Sequence, residues 1–403
     1  MKATHAPAAS AVPELLEMHP AWSMDERDNA ASDSWLHRLI ARRGDFGITR
    51  IGSVTRLDRI GIPMVQVARP LSLSNAVSQG KGLTFAEATA SGLMETIESW
   101  AGENLPQNRL VSCTAEAWGE DTCRLYEPWT TGDAPGEWRG RPIAWIEGWD
   151  LFSGDTRPVP VALVDTIYTL PSPHPVMFPR TTTGLGAGRN LARAIIQAGL
   201  EILEREAIAQ ARHDPHFFDM NQVDTSNLSD ARCTELLARI RQADLLCALW
   251  LTPAAHGLPV YWCHVMERGP PRELVPLPSE GFGCDFTHAG AVTKAVLEAC
   301  QARGTAISGA REDITRAHYP QDYDRAHLAA WREQLASPRR LRLAPRSDAR
   351  EEVSDQVKLK RVTDALREAG AKAAIVVPLF SDSENDIHAV RLVAPPLRLD
   401  PGA

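Results

Sequence analysis

The sequence predicts a mixed α/β fold of the α+β kind, with three acidic helices packed on sheets and converging on one site. Three observations predict it. One polar pattern recurs three times at helical spacing, roughly a hundred residues apart. A glycine-rich stretch precedes each copy. Between the copies, apolar runs alternate between strand and helix signatures without a strict β-α-β rhythm.

The first copy is Ala88-x-x-Ser91-x-x-x-Glu95-x-x-Glu98, the second Ala194-x-x-Gln197-x-x-x-Glu201-x-x-Glu204, and the third Ala291-x-x-Lys294-x-x-x-Glu298-x-x-Gln301. Positions i, i+3, i+7 and i+10 share one face of a helix with 3.6 residues per turn. Before them stand Gly80-Lys81-Gly82, the run Gly184 to Gly188, and Gly281-Phe282-Gly283, which read as tight turns. A glutamate pair on a helix is ordinarily a solvated face. Here the pairs sit among Leu93, Met94 and Ile97, and among Leu200, Ile202 and Leu203, and the pattern repeats. If the helices converge, Glu95, Glu98, Glu201, Glu204 and Glu298 meet in one pocket. Like charges brought that close require cations between them. Mg²⁺ is the natural choice, and a nucleoside triphosphate is the natural reason to gather it.

The elements follow in order. Residues 1–20 are rich in Ala and Pro and read as a flexible start, and residues 33–44 as a short capped helix. Gly61 to Ala68 is a buried strand, and Ser72 to Gln79 a strand or loop. Thr84 caps the first motif helix, Phe85 to Glu103, with Glu87 completing a capping box. Residues 104–140 are loop-rich. Ala144 to Asp150 and Val159 to Val164 read as strands, and the proline-rich run Pro171 to Pro179 as an extended loop. Asn190 to His213 is the second motif helix and Thr225 to Ala243 another helix. Strands follow at Leu245 to Thr252 and Val260 to Val265, then the third motif helix at Gly290 to Ala302. Pro320 to Leu335 reads as an amphipathic helix, 338–358 as a solvated charged stretch, Val353 to Ala369 as a helix, and Ala373 to Pro378 with His388 to Val393 as a final strand pair.

Other residues carry more than one reading. Lys81, between two glycines ahead of a helix N-terminus, is a phosphate-binding candidate or simply part of a turn; its spacing is not that of a Walker A loop. Arg205 and Lys294 are either structural ion-pair partners of the neighbouring carboxylates or ligands for phosphate oxygens. Gly184 to Gly188 lacks the downstream ribose-binding acid of a dinucleotide fold. Cys284 and His288 read as structural, and no Ser-His-Asp or Cys-His order stands out, so no protein nucleophile is expected.

Composition narrows the class. The 403 residues are 44% hydrophobic and 23% charged, enough for a large core. The net charge of −8 argues against a nucleic-acid-binding surface. Seven scattered cysteines without Cys-x-x-Cys argue against a zinc site or a disulfide framework and fit a cytoplasmic setting. The start has no signal-peptide pattern and no apolar run is long enough to span a membrane.

The run Ser78 to Thr84 with Ser91 to Glu98, the run Gly184 to Gly188 with Glu201 to Glu206, and Glu298 to Arg303 with Ile307 to Asp313 together resemble the YcaO family, over about residues 48–400. The resemblance implies one YcaO domain over 48–403 behind an N-terminal extension of 1–47. It implies ATP and Mg²⁺ as cofactors, a peptide or protein substrate whose backbone amide is activated, and a homodimer. It implies that Glu95, Glu98, Glu201, Glu204 and Glu298 hold the metals. Lys81, Ser91, Arg205 and Lys294, with Gln197 in the position of Ser91, would surround the nucleotide. Two departures stand out: the family usually has Arg at Lys294 and often Asn at Thr183. Azoline-forming members commonly end in Pro-x-Pro-x-Pro, absent from Ala394 to Ala403. Asp58 to Pro63 and Ser308 to Asp313 look like members that work with a TfuA partner, which are associated with thioamide formation. Azoline-forming cyclodehydration is the alternative within catalysis, and a non-catalytic peptide-binding scaffold the alternative outside it.

Overall fold

The computed structural model describes residues 6–17, 33–131, 136–270, 276–309, 315, 317, 319, 324–336 and 353–399. The chain begins with α1 (Val12–Glu17), α2 (Asp33–Ala41), β1 (Arg50–Ser53), β2 (Met64–Ala68), β3 (Val77–Lys81) and α3 (Phe85–Glu103). Next come β4 (Leu110–Cys113), α4 (Glu120–Tyr126), β5 (Ile143–Asp150), β6 (Asp155–Pro160), β7 (Leu185–Gly188) and α5 (Leu191–Ala211). Then follow α6 (Phe217–Met220), α7 (Ala231–Gln242), β8 (Leu245–Thr252), β9 (Val260–Glu267), β10 (Ser279–Cys284) and α8 (His288–Ser308). The chain closes with α9 (Arg325–Leu335), α10 (Asp355–Glu368), β11 (Ile375–Asp382) and β12 (Ile387–Val393). The predicted class, mixed helix and sheet, is the observed one. Among the described residues no helix is long and apolar enough to cross a membrane.

Among the described residues the strands form three antiparallel sheets, ordered β1-β2-β3, β8-β9-β10 and β4-β5-β11-β12-β7, with β6 beside β5. Strands β11 and β12 lie inside the largest sheet and bury apolar side chains on both faces, with His388 and Arg391 the buried polar residues of β12. Ile375, Val377, Ala389 and Val393 enter one core cluster with Leu93, Ile97 and Trp145. Val376, Val390 and Leu392 enter a second with Ile195, Ile202 and Val362. A third core joins β8-β9-β10 to α7 and α8 through Leu236, Ile240, Ala295 and Ala299.

The glycine-rich stretches are not turns, as the sequence suggested. Apart from Gly82 and Gly184, which flank strands, they belong to β3, β7 and β10, and each of these is the outer strand of its own sheet. From each edge strand the chain passes through a cap into a motif helix. Gly80, Gly186 and Gly283 stand eight residues before the first alanine of each pattern. A Cβ there would lie 1.9, 2.3 and 2.2 Å from the carbonyl oxygens of Ala88, Ala194 and Ala291. Glycine on the strand and alanine on the helix thus let two backbones touch. Thr84, Asn190 and Thr287, four residues before those alanines, cap the helices by accepting from the N–H groups of Glu87, Arg193 and Gly290. The expected capping box is displaced by one residue, since Glu87 Oε2 accepts the Leu83 N–H at 2.7 Å.

Other boundaries moved. The predicted strand Val159 to Val164 ends at Pro160, and Val161–Leu163 is a 3₁₀ turn closed by Val164 N–H on Val161 O at 2.8 Å. Pro158 and Pro160 lack ladder donors and are accommodated because β6 pairs only with β5. The helix expected from Pro320 begins at Arg325. The charged stretch at 338–352, most of the Ser308 to Asp313 segment and much of the N-terminal extension lie outside the described residues.

Candidate functional site

Three strand–cap–helix units aim the polar stripes of α3, α5 and α8 at one another. A cavity of about 780 Å³ lies between them, and all ten candidate residues line it: Lys81, Ser91, Glu95, Glu98, Gln197, Glu201, Glu204, Arg205, Lys294 and Glu298. The sequence pattern thus converges in space.

The last position of each stripe closes a ring. Glu98 accepts a backbone hydrogen bond from Ala187 on β7. Glu204 Oε2 accepts the Cys284 N–H of β10 at 3.0 Å. Gln301 Nε2 donates to Gln79 O of β3 at 2.7 Å. Each helix is therefore tied to the edge strand of the next unit. The third copy carries an amide because a carboxylate cannot donate to a carbonyl. Gln301 Oε1 also accepts from Lys81 Nζ at 2.8 Å.

Cations of the protein stand among the carboxylates. Arg205 Nη2 is 3.6 Å from Glu298, 3.7 Å from Glu204 and 4.0 Å from Glu201. Its guanidinium lies over the Phe282 ring, 5.3 Å from the centroid. Lys81 Nζ is 3.5 Å from Glu298 Oε2. Lys294 pairs at 2.9 Å with Asp285, which the sequence reading missed, and donates to Cys284 O at 3.1 Å. Glu201 Oε2 accepts the Gly184 N–H at 3.1 Å. The basic residues are thus ion-paired, as the structural reading has it, and they also line the cavity. Among the described residues no group of three or more His, Cys, Asp or Glu side chains is already spaced to hold a metal ion.

Five carboxylates still face only three basic side chains among these ten, and burial, with neighbouring carboxylates adding, raises the pKa of three of them. Burial, then Glu201 and Glu95, push Glu98 up to about 8. Burial raises Glu204 to about 7, with Arg205 opposing and Glu298 and Glu201 adding. Burial also raises Glu201. Burial alone would lower Arg205, but Glu204, Glu298 and Glu201 outweigh it and hold the guanidinium charged. Hard carboxylate oxygens with excess negative charge fit Mg²⁺, and the basic residues alongside fit phosphate.

A pH effect follows. A carboxyl whose folded pKa lies above its unfolded value stabilises the fold fully below the unfolded pKa, and that stability is lost as pH rises through the folded pKa. The ligand-free protein should lose thermal stability between about pH 5 and about pH 9 as Glu204 and then Glu98 ionise. Mg²⁺ with a non-hydrolysable ATP analogue should raise the melting temperature more at about pH 9 than at about pH 7, because the carboxylates must be ionised to hold a cation. Calorimetry at the two pH values checks this; an equal or smaller gain at the higher pH would contradict it.

Further lining residues escaped the sequence reading: Tyr168, Thr182, Glu280 and Phe282. Phe282 and Glu280 lie in or beside the third glycine stretch, which is where they were findable. Tyr168 and Thr182 lie between elements and carried no sequence signal.

The YcaO family profile, described as a cyclodehydratase that binds ATP and Mg²⁺, matches residues 79–398. A protein encoded in the tfuA 3′ region of Rhizobium leguminosarum bv. trifolii is 28% identical over 366 residues, covering 88% of this chain and 85% of that protein. The structure of YcaO from Methanopyrus kandleri, bound with AMPPCP and Mg²⁺, superposes with a TM-score of 0.67 at 22% identity, covering 92% of this chain and 93% of that one. A heterocyclase in complex with substrate and cofactor gives a TM-score of 0.68 at 16% identity, covering 90% of this chain and 52% of that one. The profile match takes in most of the chain and all ten candidate residues of the cavity, and on that ground the chain belongs to the YcaO family of ATP- and Mg²⁺-binding enzymes.

Proposed function

We propose that this enzyme activates a peptide backbone amide by O-phosphorylation and exchanges its oxygen for sulfur, with a TfuA-like protein delivering the sulfur. The observation that carries the reading is the single cavity in which five carboxylates and three basic side chains from three helix units meet. Likeness to the protein of the tfuA 3′ region supports the sulfur branch.

Hydrosulfide adds to the amide carbon, and the C=O pair moves onto oxygen. That oxyanion attacks the γ-phosphorus of ATP and ADP leaves. Phosphate then departs with the C–O bond and the sulfur gives up its proton, leaving C=S. Amide oxygen is a poor leaving group and its phosphate ester a good one. Mg²⁺, held by Glu95, Glu98, Glu201, Glu204 and Glu298, would supply charge neutralisation for the triphosphate. Lys81, Arg205 and Lys294 would meet phosphate oxygens, with Ser91 and Gln197 placing polar groups beside them. The ring of Glu98, Glu204 and Gln301 contacts fixes the three helices, so the chain acts mainly by positioning.

The heterocyclase likeness supports a second reading, in which a Cys, Ser or Thr side chain of the substrate attacks instead of hydrosulfide. Intact-mass analysis of peptides and proteins from cells with and without the gene separates the two. Sulfur exchange should add about 16 Da and cyclodehydration remove about 18 Da. A loss with no gain would overturn the thioamide reading.

A further inference from the structure

Two loops frame the mouth of the cavity, residues 69–76 and 165–180, and contribute Ser74, Asn75 and Tyr168 to its lining. They are joined to each other where Tyr168 N–H donates to Leu73 O at 2.8 Å. Each is organised by a buried carboxylate that the proposed chemistry does not use. Glu103 ends α3. It is bridged by Arg69 and accepts from Ser72 Oγ at 2.9 Å, Ser74 N–H at 3.2 Å and Ser74 Oγ at 3.0 Å. Asp165 accepts from Arg180 Nη2 at 2.6 Å and pairs with His174. Arg180 also donates to Ile167 O at 2.7 Å and lies over the Tyr168 ring. Thr166 Oγ1 donates to Ser99 O at 2.7 Å. Both loops are thus fastened to the end of the helix that carries Glu95 and Glu98.

Loops held this firmly nevertheless hold aliphatic side chains in water. Leu71 is 90% exposed, Leu170 94% and Val176 87%. No Asp, Glu, Lys or Arg occurs from Pro70 to Gly80 or from Thr166 to Pro179, in a chain that is 23% charged. Loops free of Asp, Glu, Lys and Arg over these stretches, with aliphatic side chains exposed, therefore border a cavity dense in charge through Ser74, Asn75 and Tyr168. This rim offers phosphate nothing, whereas a polypeptide reaching Ser74 and Tyr168 has apolar side chains of the same two loops to bind. Exposed apolar groups on a fixed scaffold mark an interaction surface.

We propose that this rim is the docking surface for the polypeptide substrate and takes an uncharged, apolar segment flanking the amide to be modified. The proposal rests on the reading that the cavity acts on a peptide amide. Shared lining residues make the surface continuous with the cavity, which favours the substrate over a second copy of the chain.

A phage-displayed library of random dodecapeptides, selected on the full chain with Mg²⁺ and AMPPCP, tests it. Enriched peptides should be uncharged and apolar. They should bind Leu71→Asp/Leu170→Asp/Val176→Asp about tenfold more weakly or worse. AMPPCP affinity should stay within about twofold, because the three side chains are already in solvent. The milder Leu71→Ser/Leu170→Ser/Val176→Ser should change in the same direction. Equal peptide binding to wild type and both variants, or enrichment of charged peptides, overturns the proposal. So does a dimer that the variants convert to a monomer, since the rim would then be covered by a second copy. Failure of the wild type to bind AMPPCP would instead strike the reading of the cavity itself, and the proposal with it.

Discussion

Glu98→Gln should cut ATP turnover by about a hundredfold to a thousandfold while making the ligand-free protein more heat-stable. The two signs come from one cause. Glu98 is buried beside Glu201 and Glu95, and its charge is so unwelcome there that its pKa rises to about 8. Glutamine keeps the shape and can still accept the Ala187 hydrogen bond, but removes the cost of burying an ionisable carboxyl beside Glu201 and Glu95. The fold gains what the cation site loses. Glu201→Gln should behave alike, since burial raises that carboxyl too. Phosphate release and calorimetry on the same preparations check both signs. Turnover within about tenfold of wild type in both variants would remove the metal assignment.

Gly80→Ala should destabilise the protein by about 3 kcal/mol or more. The added methyl would lie 1.9 Å from Ala88 O and 2.2 Å from Gly92 N. Both obstacles are backbone, so no rotamer change relieves them. The edge strand would be forced off α3, carrying Lys81 away from Glu298 and Gln301. Gly186→Ala and Gly283→Ala meet equivalent carbonyls at 2.3 and 2.2 Å and should lose comparable stability. Gly44→Ala, with nothing within 4 Å, is the control and should be near neutral. Denaturant titration measures all four, and wild-type stability in Gly80→Ala would mean that the strand and helix do not touch.

Much of this was legible in residue order. The helix bounds Phe85 and Glu103 and the strand Leu245–Thr252 coincide with the sequence reading because capping and apolar periodicity are local signals. Eight of the ten candidates that line the cavity were legible because a stripe repeated three times is more than a chance solvated face; Lys81 stood out by its glycine neighbours and Arg205 by its place beside Glu204. The glycine stretches misled for a definite reason. Glycine marks both a tight turn and a close backbone approach, and only the partner helix, distant in space from any local window, distinguishes the two. Lys294 was read against the wrong carboxylates, because its partner Asp285 lies nine residues back, across the strand–helix junction. Tyr168 came from a proline-rich loop whose path is set by Asp165, Arg180 and α3, none of them readable from spacing.

By itself the sequence determined which side chains share a helical face, because 3.6 residues per turn turns spacing into direction. It could not say which faces meet. That was decided by the tertiary structure, through three edge strands, each lying against its own helix and bonded to a neighbouring unit's helix, with α8 closing back on β3. The closed ring puts carboxylates from a hundred residues apart within reach of one Arg205. Long-range packing alone has that power, since charges that repel come together only where a larger buried core holds them.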